Sequence, residues 1–381
     1  MAETNLGHKK EYFRYSYYLF FGLGVTWIIY LCLNSPRPVL DDEIGHFLIS
    51  RSAWIYPKLI LNIWGRTVRT LLYMPPSVLG LIPARFLSII MACLTVLLAT
   101  KVTQKLGGKL LFLVPVVLWF QPWFSDFSYG VITEVPFSLF LLLGTYLWLD
   151  ERETLASIPI GLLPFIRHEG IAITFLWILY IVYRRNWRAC AFIIFPMIVF
   201  NLLYYAFYQS LAIEIFFSPK PSTHYGSGTW VHFVPRVLSV RVPVLLLTVF
   251  GLVPILKSRK KTLAFGGYVV YYIVHTVIYR FGLFKSGGYV IFLLPLAPAF
   301  AVGATLGAEF LVSWVKKALL SLTTPEISAA FGNLLIVLIV IAVVSVGVLR
   351  VNPHPLSSQY IALRQASDWL RSSGALCKFL G

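Results

Sequence analysis

Charged side chains are scarce in this chain: they make up 12% of its 381 residues, where a soluble domain carries roughly a quarter. That shortage excludes an ordinary water-soluble globule. Acids are scarcer still, 15 against 32 Lys and Arg, which leaves a formal charge of +17. Such an excess can mark a nucleic-acid partner, but here the basic residues come in short clusters between apolar runs, as membrane topology requires, and a nucleic-acid partner is excluded on that pattern. Cysteine is equally sparse. Cys32, Cys93, Cys190 and Cys377 are the four; three lie inside apolar runs and none has metal-ligand spacing, so no disulfide framework or zinc site is implied. A cleavable leader is not indicated either, because the run at 16–33 follows Lys9, Lys10 and Arg14 and lacks a small-residue cleavage site before Pro36. It reads as a retained first span.

What the chain has in abundance is apolar sequence, 58% of the residues with a mean hydropathy of +0.79. About eleven runs are long enough to cross roughly 30 Å of hydrocarbon or come close to it: 16–33, 84–100, 108–123, 131–149, 154–166, 170–183, 189–208, 242–256, 262–280, 289–312 and 329–350. The reading is therefore an all-α, polytopic membrane protein, an integral multi-pass protein of a cell membrane or of the endoplasmic reticulum. With a cytoplasmic N-terminus, the alternation puts Lys101, Lys105 and Lys109, Arg184, Arg185 and Arg188, Lys257 to Lys261, and Lys316 and Lys317 all on the cytoplasmic side, as the positive-inside rule asks. The longer polar segments, 34–83, 209–241 and 351–381, then share the outer face with the turns 124–130, 167–169 and 281–288. Chemistry is expected on that face.

The stretch DDEIGHF opens the first outer loop. Asp41, Asp42 and Glu43 are three consecutive acids at a membrane surface, where like charge and partial desolvation raise a carboxyl pKa toward the range of a general base. His46 follows Asp42 by four residues, one turn along a helix. The competing reading is a helix start, with Asp41 as cap and the acids at its positive end. Residues 51–83 mix Arg51, Lys58, Arg66 and Arg69 with Trp54, Tyr56, Trp64 and Leu71, which suits helices lying in the interface. Asp126 sits in a short outer turn and Glu134 opens the next run; an acid there is a dipole partner or a functional group. In PFIRHEG, Arg167, His168 and Glu169 form a tight turn in which Arg167 and Glu169 neutralise each other or Arg167 meets a phosphate. In FGLFKSGGY, the small residues Ser286, Gly287 and Gly288 let backbone amides approach an anion, with Arg280 or Lys285 supplying charge. The 209–241 loop is a lid or a disordered loop.

Taken together, these segments resemble the GT-C superfamily of membrane glycosyltransferases, nearest the protein O-mannosyltransferase and aminoarabinose transferase group. The resemblance implies a transmembrane catalytic domain over 1–350, interfacial helices in the first outer loop, and a short outer C-terminal helix in 351–381. It implies a polyprenyl-phosphate sugar donor and a lipid, glycan or protein acceptor at the bilayer's outer face. By its motifs the catalytic Asp falls on Asp42, with Glu43 beside it and Asp41 a lesser candidate. Glu134 matches its Thr-Glu-x-Pro motif, Asp126 adds an acid to the site, and Arg167, His168 and Glu169 match its Arg-x-Glu-Gly turn. Its Arg-Tyr phosphate contact is Gly288-Tyr289 here, so Arg280 or Lys285 would replace that Arg. The expected reaction is transfer of a hexose such as mannose, with inversion, assisted or not by Mg²⁺ or Mn²⁺ on the acids. A transporter or lipid-linked-sugar flippase is the alternative, although its charges should lie deep in the spans.

Overall fold

The computed structural model describes residues 2–210, 227–283 and 287–356, together with Ile361 and Gln365, with side chains from Arg14 onward except that of Asp41. Every described element is helical. In chain order they are α1 (Ala2–Asn34), α2 (Asp41–Ser52), α3 (Thr67–Leu79), α4 (Leu81–Lys105), α5 (Leu113–Trp119), α6 (Pro122–Phe127), α7 (Glu134–Leu149) and α8 (Glu153–Leu162). They continue with α9 (Gly170–Tyr183), α10 (Trp187–Tyr208), α11 (Phe233–Val237), α12 (Val242–Leu256), α13 (Arg259–Arg280), α14 (Ala297–Leu320) and α15 (Pro325–Arg350).

Outward-facing Leu179, Phe195, Leu202, Val249, Leu256, Ile273, Leu338 and Ile341 are exposed, an arrangement that lipid tolerates and water does not. The protein is a multi-pass membrane protein. Six described helices are long and apolar enough to cross a membrane, or seven when the pair bent by 105° at Arg241 counts as one span. Helices α7 and α9, and α8 with its 3-10 extension to Phe165, are apolar but shorter. The expected run 108–123 is two helices rather than one, because Pro122 lacks the N–H that would continue the ladder and instead starts α6. All seven residues of α5 are buried, so this segment runs through the core rather than along lipid. Close packing relies on small residues: a Cβ on Gly307 would lie 1.7 Å from the Leu247 carbonyl oxygen, and one on Gly251 would lie 2.1 Å from that of Gly303. Backbone contact of this kind joins α12 to α14.

One end of the bundle gathers the irregular backbone. There the loop after α1 meets the segment after α15, where His354 N–H donates to Ser35 Oγ at 2.9 Å and Arg37 N–H donates to the His354 carbonyl at 3.3 Å. The α2–α3 hairpin lies across the same end. Helix α3 turns Arg69, Thr70, Tyr73 and Ser77 inward and leaves Leu71, Val78 and Leu79 exposed, the pattern of a helix with its apolar side toward lipid. The opposite end carries ion pairs of Lys105 and Arg152 with Asp150, and of Arg184 with Glu153. Most of the expected C-terminal helix, residues 211–226 of the 209–241 lid segment, and Lys285 and Ser286 lie outside the described residues.

Candidate active site

Helix geometry separates the acids of DDEIGHF. Consecutive helical residues point about 100° apart, so Asp42 and Glu43 at the start of α2 face different surroundings. Glu43 is fully buried and turns into the protein. Its Oε1 accepts from Arg85 Nε at 2.9 Å and from Val131 N–H at 3.0 Å. Its Oε2 accepts from Arg85 Nη2 at 2.8 Å and from Val39 N–H at 2.7 Å. Arg85 also donates to the Ser35 and Arg37 carbonyls, at 2.7 and 3.0 Å. One ion pair thus ties α2, α4, the loop after α1 and the turn before α7 together. Asp42 is exposed instead, and it lines a cavity of about 120 Å³. Asp41 is the first residue of α2.

The wall of that cavity joins motifs far apart in the chain: Asp42 and His46 from α2, Trp64 and Arg66 from the hairpin, Thr133 and Glu134 from the start of α7, Arg167, His168 and Glu169, and Phe292. Arg167 organises it. Its Nε and Nη2 donate to the two Glu169 oxygens at 3.1 and 2.7 Å, while Nη1 donates to Thr133 Oγ1 at 3.0 Å and pairs with Glu134. The guanidinium carbon stands 5.0 Å over the Phe292 ring. Behind Glu169, the fully buried His275 places Nε2 3.3 Å from its Oε1. Burial pushes the Glu169 carboxyl up, but the charge of Arg167 and its hydrogen bonds more than reverse this and hold it well below the ordinary carboxylate value.

Arg66 differs from Arg167. It makes no ion pair among the described residues, and its Nη2 contacts the ring nitrogen Nδ1 of His168 at 2.6 Å. Its backbone is left-handed, with φ of 63°, a conformation costly for a side-chain-bearing residue and one that tends to mark functional loops. Arg69, fully buried, donates to the His46 carbonyl at 2.6 Å, to Ser50 Oγ at 3.0 Å and to the Val131 carbonyl at 3.0 Å. It therefore brings behind the wall a second cation without an ion pair among the described residues. Burial, then the nearby Arg69, Arg66 and Arg167, hold His46 well below its usual value of 6.5. Burial, opposed by Glu169 and aided by Arg66 and Arg167, pushes His168 down to about 3.

These two shifts predict how stability depends on pH. Unfolded histidines take up protons below about 6.5, whereas folded His46 and His168 stay neutral, so the unfolded state binds more protons and stability falls as pH drops from 7.5 to 5. The thermal midpoint of the detergent-solubilised protein should fall over that range, and less steeply in His168→Asn. An equal slope in parent and variant would mean that folded His168 is protonated.

The remaining expected site residues lie elsewhere. Asp126 Oδ1 accepts from His354 Nε2 at 2.7 Å and does not line the cavity. Arg280 stands 5.9 Å over Trp230, and Tyr289 is exposed; neither is on the cavity wall. Among the described residues no group of three or more His, Cys, Asp or Glu side chains is placed to hold a metal ion. Trp64, Arg66, Arg85 and His275 were not among the expected site residues.

Comparison with known proteins agrees with this architecture. The structure is similar to that of ArnT from Cupriavidus metallidurans bound to undecaprenyl phosphate, with a TM-score of 0.63 at 13% identity over 87% of this chain and 71% of that one. The apo structure of the same protein gives 0.62 over the same shares. No protein of curated function matches the sequence. The sequence model of glycosyltransferase family 87 matches residues 68–278, more than half of the length, and the chain belongs to that family.

Proposed function

We propose that this glycosyltransferase moves a hexose from a polyprenyl-phosphate carrier to a hydroxyl at the outer membrane face, with inversion and with Asp42 as general base. The observation that carries the reading is the shared cavity: an exposed carboxylate and a guanidinium without an ion pair among the described residues line it together, at the bundle end where the irregular backbone collects. The ArnT structure of the same fold holds undecaprenyl phosphate, which favours a carrier-lipid donor. The eleven-span topology counts α7, α8, α9 and the broken α5–α6 segment as crossings, and it places this end outside.

In the proposed reaction the acceptor oxygen attacks the anomeric carbon while its proton passes to Asp42. The bond from that carbon to the phosphate oxygen breaks, and the carrier phosphate leaves with the electron pair. Charge grows on the phosphate, so a fixed cation there lowers the barrier. Arg167 is poorly placed for that task, since both Glu134 and Glu169 already engage it. Arg66 is the better phosphate contact, because among the described residues it makes no ion pair and its Nη2 meets the His168 imidazole. Glu43 then serves by holding α2, and with it Asp42, in place. Family membership removes the ground for a transporter or flippase.

Arg66→Ala should lower kcat/KM for a polyprenyl-phosphate hexose at least tenfold, about 1.4 kcal/mol of transition-state stabilisation, while Arg280→Ala stays within about twofold. Initial rates with radiolabelled donor measure both. Full activity in Arg66→Ala combined with a large loss in Lys285→Ala would move the phosphate to the 281–288 loop.

A further inference from the structure

Far from Asp42, a second cavity of about 250 Å³ opens among α7, α8, α9 and α13. Its residues come from the last turns of α7 and α9 and the first turns of α13, so it sits at the basic end of the bundle, opposite the candidate active site. Its depth along α9, from Ile173 to Tyr180, is about 10 Å at the helical rise. Leu176 and Leu263 both line it and both are exposed, so its mouth faces lipid.

The polar atoms of its walls are engaged within the protein. Trp148 Nε1 donates to Tyr180 Oη at 3.2 Å, Tyr180 Oη to Glu153 Oε1 at 2.6 Å, and Trp177 Nε1 to Ser157 Oγ at 2.9 Å. A cavity with such walls does not hold water and takes an apolar occupant. Glycine keeps it open. A Cβ on Gly266 would meet no atom within 4 Å, so alanine there would favour the helix without a clash. Gly251 and Gly307 seat backbone against backbone; no such contact accounts for Gly266.

Helical spacing sets cations at the mouth. Arg184 follows Tyr180 by four residues and Trp177 by seven, and Lys260 precedes Ala264 by four and Gly267 by seven. Each therefore belongs to the face of its helix that lines the cavity, one turn nearer the membrane surface. Both are exposed. Glu153 takes up part of the Arg184 charge, at 3.3 Å, but the exposed neighbours Arg185 and Arg259 leave this rim positive.

We infer that the cavity holds one acyl chain of an anionic phospholipid from the leaflet at the basic end, with its phosphate between Arg184 and Lys260. Basic pockets between spans suit such headgroups. A polyprenyl carrier matches less well, because its phosphate is used at the opposite end and would leave these cations without a partner. The occupant would also brace the Arg167 network from behind: α7 begins at Glu134, α9 follows Glu169, and α13 carries His275. Binding should therefore be visible as added stability.

The test titrates the full chain in detergent with phosphatidylglycerol or with phosphatidylcholine of the same acyl chains and reads the thermal midpoint, which a ligand of the native state raises by mass action. Phosphatidylglycerol should raise it saturably, and phosphatidylcholine should need roughly tenfold more lipid for the same rise. Gly266→Leu fills the cavity and should abolish the rise, whereas Gly22→Leu, at another glycine whose Cβ would meet nothing within 4 Å, should titrate like the parent. Arg184→Gln combined with Lys260→Gln should remove the preference between the two lipids, and Lys317→Gln should not. Where Gly266→Leu does not fold, that rim pair decides, since it alters only exposed side chains. A parental titration in Gly266→Leu or in the rim pair, or equal titration by the two lipids, overturns the proposal. A midpoint raised by undecaprenyl phosphate alone, and lost in Gly266→Leu, gives the cavity to a carrier tail and overturns it too. None of these outcomes involves Asp42, so the lipid site and the transferase reading fail separately.

Discussion

Asp42→Asn transfers sugar roughly 10²- to 10⁴-fold more slowly than the parent while expressing and unfolding normally. Asparagine keeps the size of the side chain but cannot take the acceptor proton. It also caps helices about as well as aspartate, so a purely structural acid at the start of α2 would tolerate the change. Asp41→Asn is the internal control, with only a modest loss. The assay is labelled-donor turnover at saturating acceptor, with the thermal midpoint recorded in parallel. Parental rates in both variants would make the acidic run structural and remove the base from the mechanism; the reverse ranking would transfer the role to Asp41.

Arg167→Met strikes stability first. It leaves Glu134 and Glu169, both almost fully buried, without the guanidinium that satisfies them. Breaking a buried pair from one side costs about 3–5 kcal/mol, a large fraction of the net stability of a typical domain. Low yield or a sharply lower thermal midpoint is expected. The triple variant Arg167→Met, Glu134→Gln, Glu169→Gln removes the stranded charges and should regain most of the midpoint. Arg167→Lys should fall between the two, because an ammonium cannot fork onto Glu169. A parental midpoint in Arg167→Met would mean that the network is open to water.

The apolar runs made the helical membrane architecture legible, because spans must satisfy their own backbone and cannot hide among polar residues. The 108–123 run shows where that logic stops: Gln121 and Pro122 break it, and the buried α5 has the same composition as a lipid-facing span. In the site, the sequence shows the acids of DDEIGHF and the Arg167 and Glu169 turn as local clusters. Which acid faces the cavity depends on where α2 starts. The partner of Glu43 is Arg85, 42 residues away inside an apolar run, and Glu134 joins Arg167 across 33 residues; local spacing carries neither pairing. Trp64 and Arg66 have the composition of interfacial anchors, and only the turn at Gly65 and Arg66 points them into the cavity.

The two ties on the loop that precedes Asp42 form at different times. Arg85 is made soon after Glu43, and their pair can close as soon as α4 has been inserted. Ser35 waits much longer, for His354, a partner 319 residues downstream. Contacts of such separation are slow to form, and this one cannot precede the insertion of α15. During synthesis the start of α2 is therefore seated early but the loop before it is clamped last. A chain still missing its final helix holds the loop before Asp42 by the Arg85 tie alone, without the clamp from His354.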